Sequence, residues 1–260
     1  MWEFSIIASS KNVEMSRFIY QQLKPRVQDV KGVMTCYEKL DTIKILLACP
    51  KHESVRIKYF VADVLSEAIS TFTKEEFLQK SLKFPQKTPL EIETFRSALV
   101  CFDRETDRYL INKCQDLSGE SVVIESFFHF KLQALKEKWN ELIKIANDNT
   151  TYLLNGDSFI ELLRFLIENI EIGCDEVNVV CQDGEYHILS QDFEKISQIE
   201  DECCDEINLV RKLLKLSPRK INWYSQEHHE FLERVFSKRI YFIRSEEKFK
   251  NILDKRMKMV

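Results

Sequence analysis

Residues 159–170 of the chain read FIELLRFLIENI, and eight of these twelve residues are apolar. Arranged as a helix, the segment carries apolar side chains on almost every side, and only Glu161, Arg164 and Glu168 form a polar stripe. A helix that is apolar nearly all round has to be buried in a core. We therefore predict a buried helix at the centre of a helical bundle, with Asp157 as its N-cap and the charged stripe forming ion pairs within the helix at the solvent.

Two further bundle helices are indicated by capping-box patterns. Thr73-x-x-Glu76 and Thr88-Pro89-x-Glu91 each place a hydroxyl three residues before an acid, and a proline suits the first helical position. From the second box onward, the apolar spacing predicts one continuous helix from Leu90 to about Asp116.

A third bundle helix is predicted from about Ser126. Its apolar residues recur at alternating steps of four and three and form a seam of nearly three heptads: Phe128, Leu132, Leu135, Trp139, Leu142 and Ala146. A free coiled coil normally needs about four heptads. The seam is therefore interpreted as packing within the bundle rather than as a surface for self-association.

The chain before the bundle alternates strand and helix patterns. Strand patterns cover residues 2–8, 33–40 and 43–49, and helix patterns cover residues 13–30 and 54–70. The Asp41-Thr42 step between the last two strands suits a tight hairpin. The second helix is predicted to bury a face made of Val55, Tyr59, Ala62, Leu65 and Ile69. This order is β-α-β-β-α, a small open sandwich without its last strand.

The chain after the bundle predicts a second small α/β unit. Strands over 176–182 and 185–189 flank Asp183-Gly184, the commonest signal for a two-residue hairpin loop. The later segments are a helix over about 205–216, a strand over 220–224, a helix over about 226–236 with Ser225 as its cap, a strand over 239–244 and a helix to about Lys258. The order β-β-α-β-α-β-α should place at least two strands parallel. In the alternative arrangement, the hairpin packs on the bundle and only the final β-α-β forms a sheet.

The composition fits a folded, helix-rich protein. The 260 residues are 44% hydrophobic and 31% charged, with only five glycines and five prolines. No glycine-rich phosphate loop or other cofactor motif is present, so we expect no cofactor. The predicted class is α+β and predominantly helical, with an N-terminal unit over 1–72, a central helical bundle over 73–172 and a C-terminal unit over 173–260.

The N-terminus and the cysteines indicate the compartment. Glu3 stands where a secretory signal would carry a basic residue, and the first apolar run is too short for such a signal. No stretch of 18 apolar residues occurs. The eight cysteines are spread along the chain as expected for reduced thiols. We therefore expect a cytoplasmic protein without a membrane span.

Charge is distributed unevenly along the chain. Residues 155–204 carry 13 acidic and two basic side chains, whereas residues 205–260 carry eight acidic and 14 basic ones. Such blocks can form separate binding surfaces or can neighbour one another in one folded unit. The acidic block is interleaved with helix and hairpin residues, which favours neighbouring blocks.

Candidate metal or redox ligands cluster within residues 174–204: Cys174, Cys181, His187, Cys203 and Cys204. Structural zinc sites usually contain ligand pairs separated by two residues, and that spacing is missing here. In a two-residue hairpin, Cys181 and His187 would point to opposite faces. Because adjacent cysteines form strained disulfides, Cys203 and Cys204 are interpreted as ordinary thiols. We predict no metal site, and a redox role of the four cysteines stays open.

The histidines give no convincing catalytic set. His228 and His229 are flanked by three glutamates, but consecutive side chains on a helix diverge by about 100°. The pair is therefore interpreted as part of a solvated surface. His129 lies within the apolar run 127–130, where a core or boundary position is expected, and no nucleophile stands at a spacing that would join it in a triad.

Two clusters of charged residues are the remaining candidate sites. The first, on the predicted second bundle helix, is interpreted as an ion-pair lattice: Asp103, Arg104, Asp107 and Arg108. The second combines basic and aromatic residues that could contact nucleic acid: Arg211, Lys212, Lys215, Arg219, Lys220, Trp223 and Tyr224. The sequence pI of about 5.9 is far from a strongly basic footprint, so we expect no nucleic-acid partner.

Three segments carry a resemblance to a known family. Residues 127–132 read FFHFKL, residues 159–165 read FIELLRF and residues 217–221 read SPRKI ahead of a strand. Over about residues 99–243, these segments resemble the F-x-x-F-R-L and F-I-x-L-L-R-Y patterns and the strand entry of the YtxC-like family, sporulation proteins of endospore-forming bacteria. Lys131 stands where relatives often carry arginine. Because the motifs are packing patterns, the resemblance implies a role in sporulation and transfers no catalytic or ligand residue.

The sequence thus predicts a cytoplasmic, sporulation-associated protein that acts through contacts with a protein partner. The basis is the lack of a convergent polar site beside several large apolar helices, and no catalytic, cofactor-binding or metal-ligating residue is assigned. The alternative is an enzyme or metal-dependent protein with its site on the C-terminal unit. There, strand ends could frame a pocket near Arg219, His187 or the Cys203-Cys204 pair.

Overall fold

The computed structural model describes residues 1–83, 87–148, 156–182, 185–196, 205–224 and 229–243. The chain forms two compact units. The first consists of Met1–Leu82 and Arg104–Asn147, and the second consists of Lys83–Asp103 and Asp148–Val260. The class is α+β and predominantly helical, which confirms the prediction. Helices of the predicted bundle occur in both units, and the division into 1–72, 73–172 and 173–260 stays a prediction.

The described part of the chain contains eight strands and ten α-helices. The strands are β1 (Trp2–Ser9), β2 (Val33–Lys39), β3 (Thr42–Cys49), β4 (Ser121–Val123), β5 (Cys174–Gln182), β6 (Glu185–Ser190), β7 (Pro218–Tyr224) and β8 (Ile240–Phe242). The helices are α1 (Val13–Asp29), α2 (Ser54–Ala68), α3 (Lys74–Ser81), α4 (Pro89–Cys101), α5 (Arg104–Cys114), α6 (Ile124–Lys131), α7 (Gln133–Asp148), α8 (Gly156–Glu168), α9 (Glu206–Leu216) and α10 (Glu230–Val235).

The first unit contains a four-stranded sheet in the order β2-β3-β1-β4. β3 pairs antiparallel with both β1 and β2, which confirms the predicted β-α-β-β-α order. The sequence pattern does not predict β4, which pairs parallel with Ser5–Ile7 of β1. A strand of three residues is too short to give a periodic signal. It supplies the strand that the N-terminal pattern lacked.

The core of the first unit lies between one face of this sheet and the helices. Phe4 and Ile6 of β1 are buried, together with Ile57 and Val61 of α2. The predicted buried face of α2 is therefore wrong in part, because Val55 and Tyr59 are exposed and Ala62 is only partly buried. α2 carries apolar residues on two sides, and the side with Ile57, Val61 and Val64 is the one that enters the core.

The Thr73 capping box does not form. The helix α2 continues through a π-helical turn, Ile69–Thr73, directly into α3. Thr73 has helical backbone angles, and its side chain caps no backbone amide. The local pattern suggested a helix start, but Ile69 and Leu78 are both fully buried, so continuing the helix keeps one apolar row in the core.

The Thr88 capping box is confirmed. The Glu91 amide donates to Thr88 Oγ1 over 3.2 Å, and the Thr88 amide donates to Glu91 Oε2 over 2.9 Å. Burial alone would raise the pKa of Glu91, but the hydrogen bonds from Thr88 and the nearby Lys87 charge outweigh burial and lower it. A carboxyl pKa below its ordinary value adds stability that is lost as the pH falls through the lowered value.

Replacement of Thr88 with alanine should lower the free energy of unfolding by about 1 kcal/mol, because the first turn of α4 loses its cap. Urea denaturation measures this loss. Thr73→Ala is the matched control and should change stability by no more than about 0.5 kcal/mol, since Thr73 caps nothing. Equal effects of the two substitutions would contradict the assignment of the caps.

The predicted helix from Leu90 to Asp116 is wrong as a single element. α4 ends at Cys101, Phe102 is extended, and Asp103 has a left-handed φ of 53° before α5 begins. Aspartate tolerates the left-handed region better than most residues. At this break the chain leaves the second unit and enters the first.

The predicted third bundle helix is two helices, α6 and α7, that meet at Leu132. The packing interpretation of its seam is nevertheless largely confirmed. Five of the six seam residues are buried, namely Phe128, Leu132, Leu135, Trp139 and Ala146. Ile143 is buried, while the neighbouring Leu142 is only partly buried.

The second unit contains a four-stranded sheet in the order β6-β5-β7-β8. β5 and β6 form the predicted hairpin in the predicted register, with Cys181 opposite Tyr186 and Val180 opposite His187. The loop Asp183-Gly184 lies outside the described residues. β5, β7 and β8 are mutually parallel. The alternative in which the hairpin stays apart from the last strands is therefore wrong.

The apolar helix predicted over residues 159–170 is α8 in the second unit. Phe159, Leu163 and Ile167 are buried, but Phe165 is exposed, so the prediction of burial on nearly all sides is wrong. α8 starts at Gly156, which places Asp157 in its first turn rather than at its N-cap. One side of α8 is therefore buried in the core, and the other side faces solvent.

The charged residues of α8 pair outside the helix. Arg164 donates to the Arg234 carbonyl over 3.0 Å, and Glu168 pairs with Lys238 over 2.9 Å. Asp157 accepts a hydrogen bond from Arg234. The predicted pairing within α8 is replaced by contacts to α10 and the residues after it, because α10 packs beside α8: Arg164 binds a backbone carbonyl of α10, and Glu168 binds Lys238 beyond its end.

The remaining C-terminal predictions are partly confirmed. Asp205 caps α9, since its carboxylate accepts from the Asn208 amide over 2.7 Å. α10 begins at Glu230, because His229 before it is not helical, so the predicted helix start near Gln226 is wrong. The predicted Ser225 cap and the last helix to Lys258 lie outside the described residues. Among the helices that the structure describes, none combines the length and apolar character needed to cross a membrane.

Candidate functional site

The face of the first sheet turned away from α1 and α2 is open to solvent along β2. Val33 is 66% exposed and Tyr37 is 41% exposed on this face. A groove of about 700 Å³ runs along the same face, lined by Glu3, Ser5, Val33, Leu46 and Gly119 among others. Apolar side chains beside a groove are typical of a surface that contacts another molecule.

The outer edge of β2 is the strongest feature of this surface. Six of its seven residues are exposed, and only Met34 is partly buried. No other described strand pairs with this edge. An exposed edge offers unpaired N–H and C=O groups to another chain.

The other sheet edges in the described chain are short or partly covered. β4 and β8 have three residues each. β6 is bridged at its outer side, where Leu189 pairs with Lys195 of the returning chain. The β2 sequence VMTCYEK contains β-branched and aromatic residues, contains no proline and has charges only at its end. β2 is therefore a long edge with few of the usual protections against pairing.

The hairpin fixes which backbone groups of β2 point outward. A two-residue loop joins β2 to β3, with Lys39 opposite Thr42. The pair that closes such a loop exchanges backbone hydrogen bonds, and the direction of the backbone groups then alternates along the strand. The residues that bond inward to β3 are Val33, Thr35, Tyr37 and Lys39. The residues whose N–H and C=O groups face outward are Met34, Cys36 and Glu38.

A second polar constellation lies in the second unit. The Tyr186 hydroxyl is 2.9 Å from His229 Nε2, and His229 Nδ1 is 2.6 Å from Glu206 Oε1. The His229 ring is 5.3 Å from the Trp223 ring, and its side chain is 11% exposed. The solvated-surface interpretation of His229 is therefore wrong, whereas His228 lies outside the described residues.

The three side chains form one hydrogen-bonded chain. In the neutral tautomer with a proton on Nδ1, His229 donates to Glu206 and its Nε2 accepts from the Tyr186 hydroxyl. Glu206 stands in the first turn of α9, and His229 follows β7. Sequence reasoning missed the set because residues 186, 206 and 229 meet only through the fold and share no local motif.

The opposite face of the second sheet contains a buried amide network. Asn222 donates to Glu176 Oε1 and, over 2.9 Å, to Asn178 Oδ1. Asn178 donates to the Ser190 carbonyl over 2.6 Å. Burial first, and then the Glu176 charge, raise the pKa of the nearby Tyr224 hydroxyl. The network joins β5, β6 and β7 and gives each amide a structural role.

The candidate metal cluster gains no support in the described part of the chain. No group of three or more His, Cys, Asp or Glu residues there could hold a metal ion. Cys181 and His187 stand on opposite faces of the β5–β6 hairpin, as predicted. Burial and then the Asp175 charge raise the pKa of the Cys174 thiol. Cys203 and Cys204 lie outside the described residues.

The predicted ion-pair lattice is wrong for Asp107 and Arg108, whose partners lie on other elements. Asp107 is fully buried and contacts Lys74 Nζ over 2.7 Å and Lys138 Nζ over 2.6 Å. Arg108 pairs with Asp63 on α2 over 2.6 Å. These partners could not be predicted from local spacing, because each lies more than 30 residues away in the sequence.

Basic residues of the C-terminal block have acidic partners nearby. Arg219 pairs with Asp175 over 3.3 Å, and Lys220 pairs with Glu176 over 3.2 Å. The interpretation of the acidic and basic blocks as neighbours is confirmed for these pairs.

Trp223 and Tyr224 are buried in the sheet and therefore offer no stacking surface for bases. His129, predicted at a core or boundary position, is exposed.

The chain matches the YtxC-like family over residues 57–241 and belongs to it. No curated protein and no solved structure matches the chain. The match includes α2 to α10 and most of both units, and it leaves out β1, β2 and β3.

The resemblance segments of the second unit occupy packing positions. Arg239 donates to the Ile167 carbonyl at the end of α8 over 2.7 Å and to Ser217 Oγ over 3.2 Å. Gly173 approaches the Leu216 carbonyl so closely that an added Cβ would lie 2.5 Å from its oxygen. Arg239 and Gly173 therefore hold the end of α8 and the start of β7 in place.

Proposed function

We propose that the protein is a cytoplasmic sporulation protein that binds another polypeptide at the outer edge of β2. The observation that carries the proposal is the seven-residue edge strand, which is exposed on both faces and whose outer edge pairs with no other strand of the described chain. Membership of the YtxC-like family supports the sporulation setting. The family match begins after β3, so the edge strand belongs to the part of the chain outside that match.

Pairing of a partner strand with β2 would supply both the binding affinity and the selectivity for that partner. An extended segment that pairs with β2 would satisfy the outward backbone groups of Met34, Cys36 and Glu38. Val33 and Tyr37 would contact alternate side chains of that segment, because they project on the open face. The groove beside Val33 extends this contact toward Glu3 at the start of β1.

The test is a proline at the centre of the edge. Cys36→Pro removes an outward N–H and leaves the hydrogen bonds to β3 intact, because proline is tolerated on edge strands. In sporulating cells that lack the native gene, we expect this variant to reduce the yield of heat-resistant spores and to lose the partner captured by the wild-type protein. Far-UV circular dichroism and thermal unfolding check that the variant folds.

Cys36→Ser is the matched control and should restore both spore yield and partner capture, since it keeps the backbone N–H. A deletion strain with normal spore yield, together with no reproducible partner, would refute the proposal. Full activity of Cys36→Pro would show that the edge is not the binding site.

A second candidate function is proton-transfer chemistry at Tyr186 in the second unit. The hydrogen-bonded chain from Glu206 through His229 to the Tyr186 hydroxyl supports it, since a phenol facing an oriented imidazole can release or accept a proton. This candidate corresponds to the enzyme alternative on the C-terminal unit.

Its test compares the purified wild-type protein with Tyr186→Phe in a metabolite extract of sporulating cells. Mass spectrometry should detect a compound that only the wild-type protein consumes, with equal thermal stability of the two proteins within a few degrees. Absence of any such compound, or equal consumption by both proteins, removes this candidate.

A further inference from the structure

We draw no further inference here: the strongest candidate, the groove on the open face of the first sheet beside Glu3, Val33 and Leu46, adjoins the β2 surface already described, and nothing in the structure shows what covers it.

Discussion

Replacing Asp107 with alanine is expected to lower the free energy of unfolding by about 3–5 kcal/mol. Asp107 is 0% exposed and accepts from two lysines, one of which, Lys74, is itself only 1% exposed. Removing the carboxylate takes away the negative charge that Asp107 places against a buried ammonium group, which is far more costly than losing an exposed ion pair. Chemical denaturation followed by circular dichroism measures the loss.

Asp63→Ala provides the matched control. Asp63 also pairs with two bases, Arg26 over 3.3 Å and Arg108 over 2.6 Å, but all three side chains are about one-third exposed. Its loss should cost no more than about 1 kcal/mol, because water replaces the missing partner. Equal losses for Asp63→Ala and Asp107→Ala would contradict the burial argument.

The paired variant Lys74→Met with Asp107→Leu separates charge from packing. Apolar replacement of both partners of a buried ion pair is often neutral or stabilising. Lys138 is partly exposed and can turn toward water once Asp107 is gone. The double variant should therefore be more stable than Asp107→Ala alone, and a larger loss in the double variant would show that the side-chain volumes, not the charges, decide.

Replacing Trp139 with alanine is expected to cost about 3–5 kcal/mol. Trp139 is fully buried, and its ring lies 5.6 Å from the rings of both Phe77 and Phe128. These aromatic side chains join α3, α6 and α7 in the core of the first unit. Loss of the indole leaves a cavity that the flanking rings fill only in part. Thermal and urea unfolding should both report the loss.

Two variants control for this effect. Trp139→Phe should cost less than about 2 kcal/mol, because it keeps an aromatic ring and removes an indole N–H that has no hydrogen-bond partner in the described chain. Ile145→Ala, on the exposed side of the same helix, should change stability by at most about 0.5 kcal/mol. A large effect of Ile145→Ala would indicate that helix propensity rather than core packing dominates.

Local signals predicted much of the secondary structure. The Thr88 capping box, the β5–β6 register and the Asp205–Leu216 region follow from short-range chemistry, and the structure confirms them. Thr73 shows where such reasoning fails, because burial of the surrounding helix overrides an equally good local pattern. The helix break at Asp103 could not be predicted from the sequence, since a single residue with left-handed φ interrupts an otherwise regular apolar spacing.

The candidate sites were harder to predict, because they depend on which elements become neighbours. The β2 segment was recognised as a strand, but its position at a sheet edge depends on β3 and β1 pairing beside it. Likewise, His229 is taken out of solvent only because Tyr186 and Glu206 reach it from distant segments. In the sequence, Asp107 cannot be distinguished from an ordinary surface acid, because its partners Lys74 and Lys138 are distant along the chain.

Residue-resolved amide hydrogen exchange of β2 tests the central claim, that the outer edge of this strand is the binding edge. In dilute protein, the outward amides of Met34, Cys36 and Glu38 should exchange rapidly, whereas the inward amides of Thr35 and Tyr37 should be protected. With a captured partner, the three outward amides should become protected as well. Outward amides that stay unprotected in that complex would contradict the account.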